Sequence, residues 1–367
     1  MKKWLIFFFI LVSFAQCTNT SHDIRHIGVI LSLTDRGATY GKRALNGIQI
    51  AIDELNQKGD SISIVVEDTK SDAKVALSAF QKLATVDKVP VVVGLVLSDE
   101  VLTCAPFANK SHIVLFTPAA GSEKIIEAGD YVFRNREGAY QASDTLASYC
   151  KSELNLNDII ILHSNSANGI SYANGFEISA KKYDLTVIRS IGYDEDKTDY
   201  RTIVEKLKNA NPQVVYLAGL DTELGIILRQ CKELNFSPQF IGSPGVISTK
   251  LIEIAGDGAE NLIAASSAFD VNSKDPKVKK FVDAYLRKYQ TPPDWIAANA
   301  YDAIFMIDSL FKRKLSTGEE IKNGLYKLKN FPGITGLTTF DKNGEVTKAL
   351  SLKIVKNHQF ININKSN

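Results

Sequence analysis

From Ile27 onward, short apolar runs alternate with stretches in which apolar residues recur every three or four positions. The first pattern suits a strand and the second an amphipathic helix. Ile27–Leu31 is a predicted strand. A helix follows over Gly41–Lys58, with Ala44, Ile48, Ala51 and Leu55 on one face and Gly59 as its stop. Ile62, Ile64 and Val66 alternate as a half-buried strand. Ser71-Asp72 offers a cap for a helix that faces the core through Ala73, Ala76, Phe80 and Leu83. Two buried strands come next, Val89–Val96 and Ile113–Phe116.

A second series opens with a strand at Asp158–Leu162. Helices are predicted at Gly169–Tyr183, Tyr200–Ala210 and Thr222–Leu234, and strands at Leu185–Ile191, Val214–Leu217 and Gln239–Gly242. Strands that alternate with helices give parallel sheets with right-handed crossovers. The expected fold class is therefore α/β, with two Rossmann-like lobes, parallel central sheets and a cleft between them. Asp275–Tyr289 and Ile296–Lys312 read as further helices. Phe340–Val355 reads as short strands around the turn Asp341-Lys342-Asn343-Gly344. These pieces return to complete the lobes. The expected boundaries are 24–136 with 267–336 for the first lobe and 137–266 with 337–367 for the second. Crossovers near Arg134–Gly138, Ala264–Phe269 and Gly336 form a three-crossover hinge, which permits closure around a ligand.

The N-terminus departs from this pattern. Lys2 and Lys3 precede an apolar run, Trp4–Ala15, too short to span a bilayer comfortably and without the polar face of an amphipathic helix. Charged, then apolar, then small residues are the layout of a secretory signal. Phe14-Ala15-Gln16-Cys17 resembles a bacterial lipobox, with Gln16 where a small residue is usual and Phe14 in place of Leu. Residues 1–16 read as signal peptide, Cys17 as a lipidation site and 17–23 as a tether; a plain cleaved signal is the alternative. Two or more acyl chains would anchor the protein to the membrane stably.

Composition adds exclusions. The chain has 367 residues, 45% hydrophobic and 23% charged, as an ordinary two-domain globular protein has. Of 43 Lys and Arg, two stand in the leader; the rest equal the 41 Asp and Glu. That balance argues against nucleic acid, which demands a basic footprint. Cys104, Cys150 and Cys231 are odd in number and lie in separate helical patterns, so buried free thiols are expected rather than a disulfide framework. No Cys or His cluster has metal-ligand spacing. There is no Gly-x-Ser-x-Gly elbow, P-loop or Gly-x-Gly-x-x-Gly after a strand. A Ser98 nucleophile would lack a base. No catalysis, cofactor or metal is expected.

The candidate chemistry gathers in Val89–Ser122, where both predicted strands break into loops of small and hydroxylic residues. Ligands of open parallel sheets bind at the carboxyl ends of strands. Ser98 and Ala119-Ala120-Gly121-Ser122 would present a hydroxyl and backbone N–H groups there, a setting suited to an anion. Asp35 and Arg36 in the first loop are further candidate charges, with a solvated loop charge the plainer reading of Arg36; His163 reads first as a hydrogen-bonded structural residue, and Trp295 as packing or as part of the cleft wall.

Several segments in order carry a family resemblance over almost all of the chain after the leader: IGVILSLTDRGATYGKRALNGIQIAIDELNQKG, VEDTKSD, VVVGLVLS, LFTPAAGS, YLAGLDTELGIILRQCKELNF, FIGSPGV, NAYDAIFMI and GITGLTTFDKNGEV. The chain resembles type I periplasmic solute-binding proteins of the branched-chain amino-acid group. The resemblance implies a bound amino acid between the lobes. Its carboxylate would be held at Ser98 and Ala119-Ala120-Gly121, and Tyr40 would pack on its side chain. Gly121 stands where the family usually has Ser or Thr, with Ser122 adjacent to replace the hydroxyl. The second lobe departs further. The family's aromatics align with Asn168 and Leu220, and the acid that pairs with the ligand ammonium aligns with Pro244. Asp221 is the nearest substitute carboxylate; its other reading is a helix cap. The implied function is an extracytoplasmic solute-binding protein serving an ABC importer, with a small polar ligand (an amino acid or related carboxylate), permease subunits as partners and a monomeric state. The alternative is a ligand sensor of the same fold acting on a membrane receptor.

Overall fold

The computed structural model describes residues 25–363; the leader and Cys17 lie outside the described residues. The first lobe is built from β1 (Arg25–Leu31), α1 (Ala38–Gln57), β2 (Ile62–Asp68), α2 (Ala73–Thr85), β3 (Val91–Gly94), α3 (Ser98–Ser111), β4 (Val114–Thr117) and β5 (Val132–Arg134). Its sheet is parallel throughout, in the order β2-β1-β3-β4-β5. The predicted cap at Asp72 forms: its carboxylate accepts the Lys74 and Val75 N–H groups.

The second lobe runs through α4 (Ala139–Tyr149), β6 (Asp158–Ser164), α5 (Ala167–Lys182), β7 (Thr186–Tyr193), α6 (Arg201–Ala210), β8 (Val214–Ala218), α7 (Asp221–Glu233), β9 (Gln239–Gly242), α8 (Thr249–Ala255) and β10 (Ile263–Ser267). The chain then returns to the first lobe, where α9 (Pro276–Tyr289) and α10 (Trp295–Lys312) pack against α1, and α11 (Gly318–Tyr326) against β4. A small hairpin follows, β11 (Phe331–Gly333) with β12 (Gly336–Thr338). β13 (Leu350–Lys356) and β14 (Gln359–Asn362) close the second sheet, whose order is β14-β13-β10-β9-β8-β6-β7.

The structure departs from the expected layout in three places. The second sheet is not wholly parallel, because β13 and β14 join its edge antiparallel. They are linked by Asn357-His358 with φ of 51° and 60°, the left-handed pair that a two-residue hairpin requires. The residues around Asp341–Gly344 pack on the first lobe, not the second: Phe340 meets Phe116 and Phe133, and the Arg134 N–H donates to the Gly344 carbonyl at 3.0 Å. The chain rejoins the second sheet at Leu350. Ser267 still belongs to β10, so the preceding crossover starts after it.

The three crossovers meet in a buried polar network. Asn135 donates to the Asn299 carbonyl at 3.0 Å, and Asn299 donates to the Pro118 carbonyl at 3.3 Å. Ser267 Oγ donates to Glu137 at 2.8 Å. Lys348 Nζ donates to Thr335 Oγ1 at 2.6 Å, and Thr335 donates in turn to Asp302. Burial pushes Asp302 up and Lys348 down from their ordinary pKa values. Polar contacts of this kind fix the hinge directionally, where apolar packing alone would let it slide.

Candidate functional site

The cleft lies where the strand ends of both sheets face each other. Its walls include Arg36, Tyr40, Ser98, Asp99, Ala119, Arg136, Ser166, Asn168, Tyr172, Glu195, Leu220, Gly245 and Trp295. The space is about 470 Å³, counting its open mouth.

The turn after β3 sets the first wall. Gly94 has φ of 141°, and a Cβ there would stand 2.0 Å from the Ile30 carbonyl oxygen, so only glycine allows this turn. The turn delivers Ser98 as the first residue of α3. Ser98 is 2% exposed, and its Oγ accepts the Ser122 N–H at 3.1 Å, which leaves its own O–H proton for another acceptor. The turn after β4 is partly satisfied from within. The Ala119 and Ala120 N–H groups donate to Thr117 Oγ1 at 3.4 and 3.1 Å. Ser122 is fully buried behind the wall, with its Oγ 2.8 Å from Ser171 Oγ of the second lobe.

Of the positions singled out in the sequence, Arg36, Tyr40, Ser98, Ala119, Asn168, Leu220 and Trp295 line the cleft, and Asp35 and His163 do not. Ala120, Gly121, Ser122, Asp221 and Pro244 stand behind or beside it. Gly121 backs onto the second lobe so closely that a Cβ would meet Tyr172 Oη at 2.8 Å and Asn168 Oδ1 at 2.9 Å. Asp221 is the first residue of α7 rather than its cap, and its carboxylate turns away from the space. It accepts from Ser248 Oγ at 2.7 Å and faces Arg43, which itself donates to Ser248 Oγ at 2.8 Å. Burial raises its pKa despite these partners. Gly245, one residue past Pro244, forms that part of the wall.

Contacts across the cleft hold the lobes together. Tyr40 Oη donates to the Gly245 carbonyl at 2.6 Å and accepts the Asp221 N–H at 3.1 Å. Arg36 and Glu195 form an ion pair between the lobes. Arg43 Nη2 of the first lobe donates to Ser248 Oγ of the second at 2.8 Å, while within the first lobe its Nη1 approaches Asp294 Oδ2 at 3.0 Å, too misaligned for a hydrogen bond.

Sequence reasoning missed Arg136 and Tyr172. Arg136 sits in the first crossover, 2% exposed. It donates to the carbonyls of Glu137 at 2.9 Å and Ala119 at 3.0 Å, and to Tyr172 Oη at 2.5 Å. Its guanidinium lies 4.8 Å from the centroid of the Trp295 ring. Burial works against its charge, but Tyr172 and Glu137 more than offset this and its pKa stands above the ordinary value. A charged side chain inside the apolar-flanked crossover FRNREGAY was the available signal.

A family model described as periplasmic binding protein matches residues 25–359. The chain belongs to that family. The Leu/Ile/Val-binding protein of Escherichia coli (strain K12) is 26% identical over 332 residues, 89% of each chain. The Leu/Ile/Val-binding protein homolog 3 of Brucella melitensis is 25% identical over 328 residues, 88% of each. Among solved structures, a leucine binding protein from Thermotoga maritima superposes with a TM-score of 0.88 at 25% identity, covering 93% of this chain and 98% of that one. A branched-chain amino acid transporter substrate binding protein from Streptococcus pneumoniae, solved with isoleucine, gives 0.86 at 26% identity, covering 92% and 97%. The two-lobed periplasmic binding protein architecture follows. Among the described residues the three cysteines, Cys104, Cys150 and Cys231, are buried and unpaired, and burial pushes each thiol up to about 12.

Proposed function

We propose that this protein is an extracytoplasmic solute-binding protein that traps a small carboxylate-bearing solute, an amino acid or a relative of one, and delivers it to the permease of an ABC importer. The observation that carries this reading is the closed cleft itself: two lobes joined through Tyr40, Gly245 and Asp221 around a space walled by Ser98, Arg136 and Trp295. The relatives named as leucine, isoleucine and valine binders support the solute class. The wall opposite Ser98 has Gly245 and Leu220 where a carboxylate would be needed to pair with an ammonium. A desolvated ammonium without such a partner is costly. The reading therefore favours solutes held by their carboxylate.

The protein acts by binding alone, as a monomer outside the cytoplasmic membrane, and Cys17 carries a lipid anchor. Calorimetric titration against leucine, isoleucine, valine, their 2-oxo acids, small aromatic carboxylates and the matching amides tests it. Carboxylates are expected to bind and to raise the thermal midpoint by mass action. Binding of amides or polyols alone would overturn it.

A further inference from the structure

We infer that the indole N–H of Trp295 is a ligand-recognition donor, which meets a carboxylate or carbonyl oxygen of the bound solute. The inference rests on the solute-binding reading above and adds the residue that selects the solute's acceptor.

Trp295 opens α10, directly after Asp294, whose Oδ1 caps the helix by accepting the Ile296 and Ala297 N–H groups at 3.0 Å each. The side chain lines the cleft and is only 4% exposed. Its Nε1 has no hydrogen-bond partner. An indole N–H can only donate, so no change of tautomer or flip relieves it. Buried donors in folded proteins are nearly always paired, and an orphan calls for a partner from outside the chain.

The ring is held in place. The Arg136 guanidinium covers one face at 4.8 Å from the centroid, and Arg136 is itself fixed by its bonds to the Glu137 and Ala119 carbonyls and to Tyr172. Holding the ring this way keeps the N–H at one place in the wall. The remaining polar groups of that wall point to the same ligand chemistry. Ser98 keeps a free O–H proton. Of the two lining acids, Glu195 is taken by Arg36, and Asp99 accepts the Ala167 N–H at 3.4 Å. Two donors with open valences, Trp295 Nε1–H and the Ser98 hydroxyl, thus share the wall with the buried Arg136 cation, which suits an anionic oxygen.

The two tryptophans of the sequence are Trp4, in the leader, and Trp295. In the chain beginning at Thr18, Trp295 therefore supplies a single indole cross-peak in a 15N-labelled spectrum. That protein is titrated with L-leucine, 4-methyl-2-oxopentanoate and 3-methylbutylamine, which share a side chain but not a carboxylate. At least one of the two acids is expected to bind and move the indole proton downfield, and the amine is not. Trp295→Phe, which keeps a ring under Arg136, is expected to weaken acid binding roughly ten- to hundredfold, as loss of a hydrogen bond to a charged group does. Acid binding with an unmoved indole resonance overturns the inference, as does equal binding by Trp295→Phe, and the solute reading then still stands. If neither acid binds the unmodified protein, the inference falls, and the solute reading is decided separately by the wider calorimetric panel. Should Trp295→Phe not fold, the resonance of the unmodified protein decides alone.

Discussion

The hydroxyl of Tyr40, on α1 of the first lobe, donates to the carbonyl oxygen of Gly245, in the second, at 2.6 Å. The Tyr40 hydroxyl oxygen in turn accepts the buried Asp221 N–H at 3.1 Å. Tyr40 thus ties the lobes from within the cleft. Tyr40→Phe keeps the ring but leaves the Asp221 N–H and the Gly245 carbonyl without partners when the cleft closes. An unmet buried group costs about 1–3 kcal/mol. The variant should bind solute about tenfold or more weakly, with the thermal midpoint of the free protein little changed. Calorimetric titration, with small-angle scattering to follow closure, measures both.

Gly121 is shaped by its neighbour across the cleft rather than by its own backbone. A Cβ there would stand 2.8 Å from Tyr172 Oη and 2.9 Å from Asn168 Oδ1. Gly121→Ala should therefore hold the lobes apart, at about 1–3 kcal/mol, the usual range for overpacking. Affinity should fall while each lobe folds normally, visible as unchanged far-UV circular dichroism beside a weakened titration.

The Arg36–Glu195 pair spans the lobes with side chains 22% and 14% exposed. Partly exposed pairs contribute about 0–1 kcal/mol and are screened by salt. Glu195→Gln should speed solute release by a few-fold at low ionic strength and by almost nothing at 1 M salt. Stopped-flow dissociation at two salt concentrations checks this.

Glu100 is buried on α3, where it accepts from Ser32 Oγ at 3.0 Å and Thr69 Oγ1 at 2.5 Å. Burial raises its pKa despite those bonds. A carboxylate raised in the folded state binds its proton more tightly there than in the unfolded chain. Its contribution is then fully present below the ordinary carboxylate pKa and lost as pH rises through the folded value. Glu100→Gln should flatten that part of the stability–pH curve and raise stability relative to the parent above it. Urea unfolding at a series of pH values decides this.

Most of the fold was legible locally. Gln239–Gly242 emerged at its predicted ends, and the helix cap at Asp72 formed as read. Other elements moved by a few residues: the helix expected from Gly41 starts at Ala38, and the strand expected over Val89–Val96 is Val91–Gly94. The hidden parts were β5, β10, the β11–β12 hairpin, the antiparallel edge of β13 and β14, and the short helices α8 and α11, because short elements carry too few residues to show a period. At the site, Ser98 stood out as a hydroxylic residue in a strand-end loop, and Tyr40 only through the family resemblance. Arg136 did not, since its place among the Trp295 ring, Tyr172 and the Ala119 carbonyl joins three distant parts of the chain.

The sequence by itself determined that this is a two-lobed α/β protein and that Ser98 follows a strand end, because strand and helix periods and strand-end loops are local properties of neighbouring residues. Only the tertiary structure decided which groups remain free to meet a ligand. Thr117 takes the Ala119 and Ala120 N–H groups, Ser248 takes the Asp221 carboxylate, and Trp295 Nε1 is left unpaired. Hydrogen-bond capacity is used up by whatever partner folding brings near, and that partner is set by packing across the lobes rather than by position along the chain.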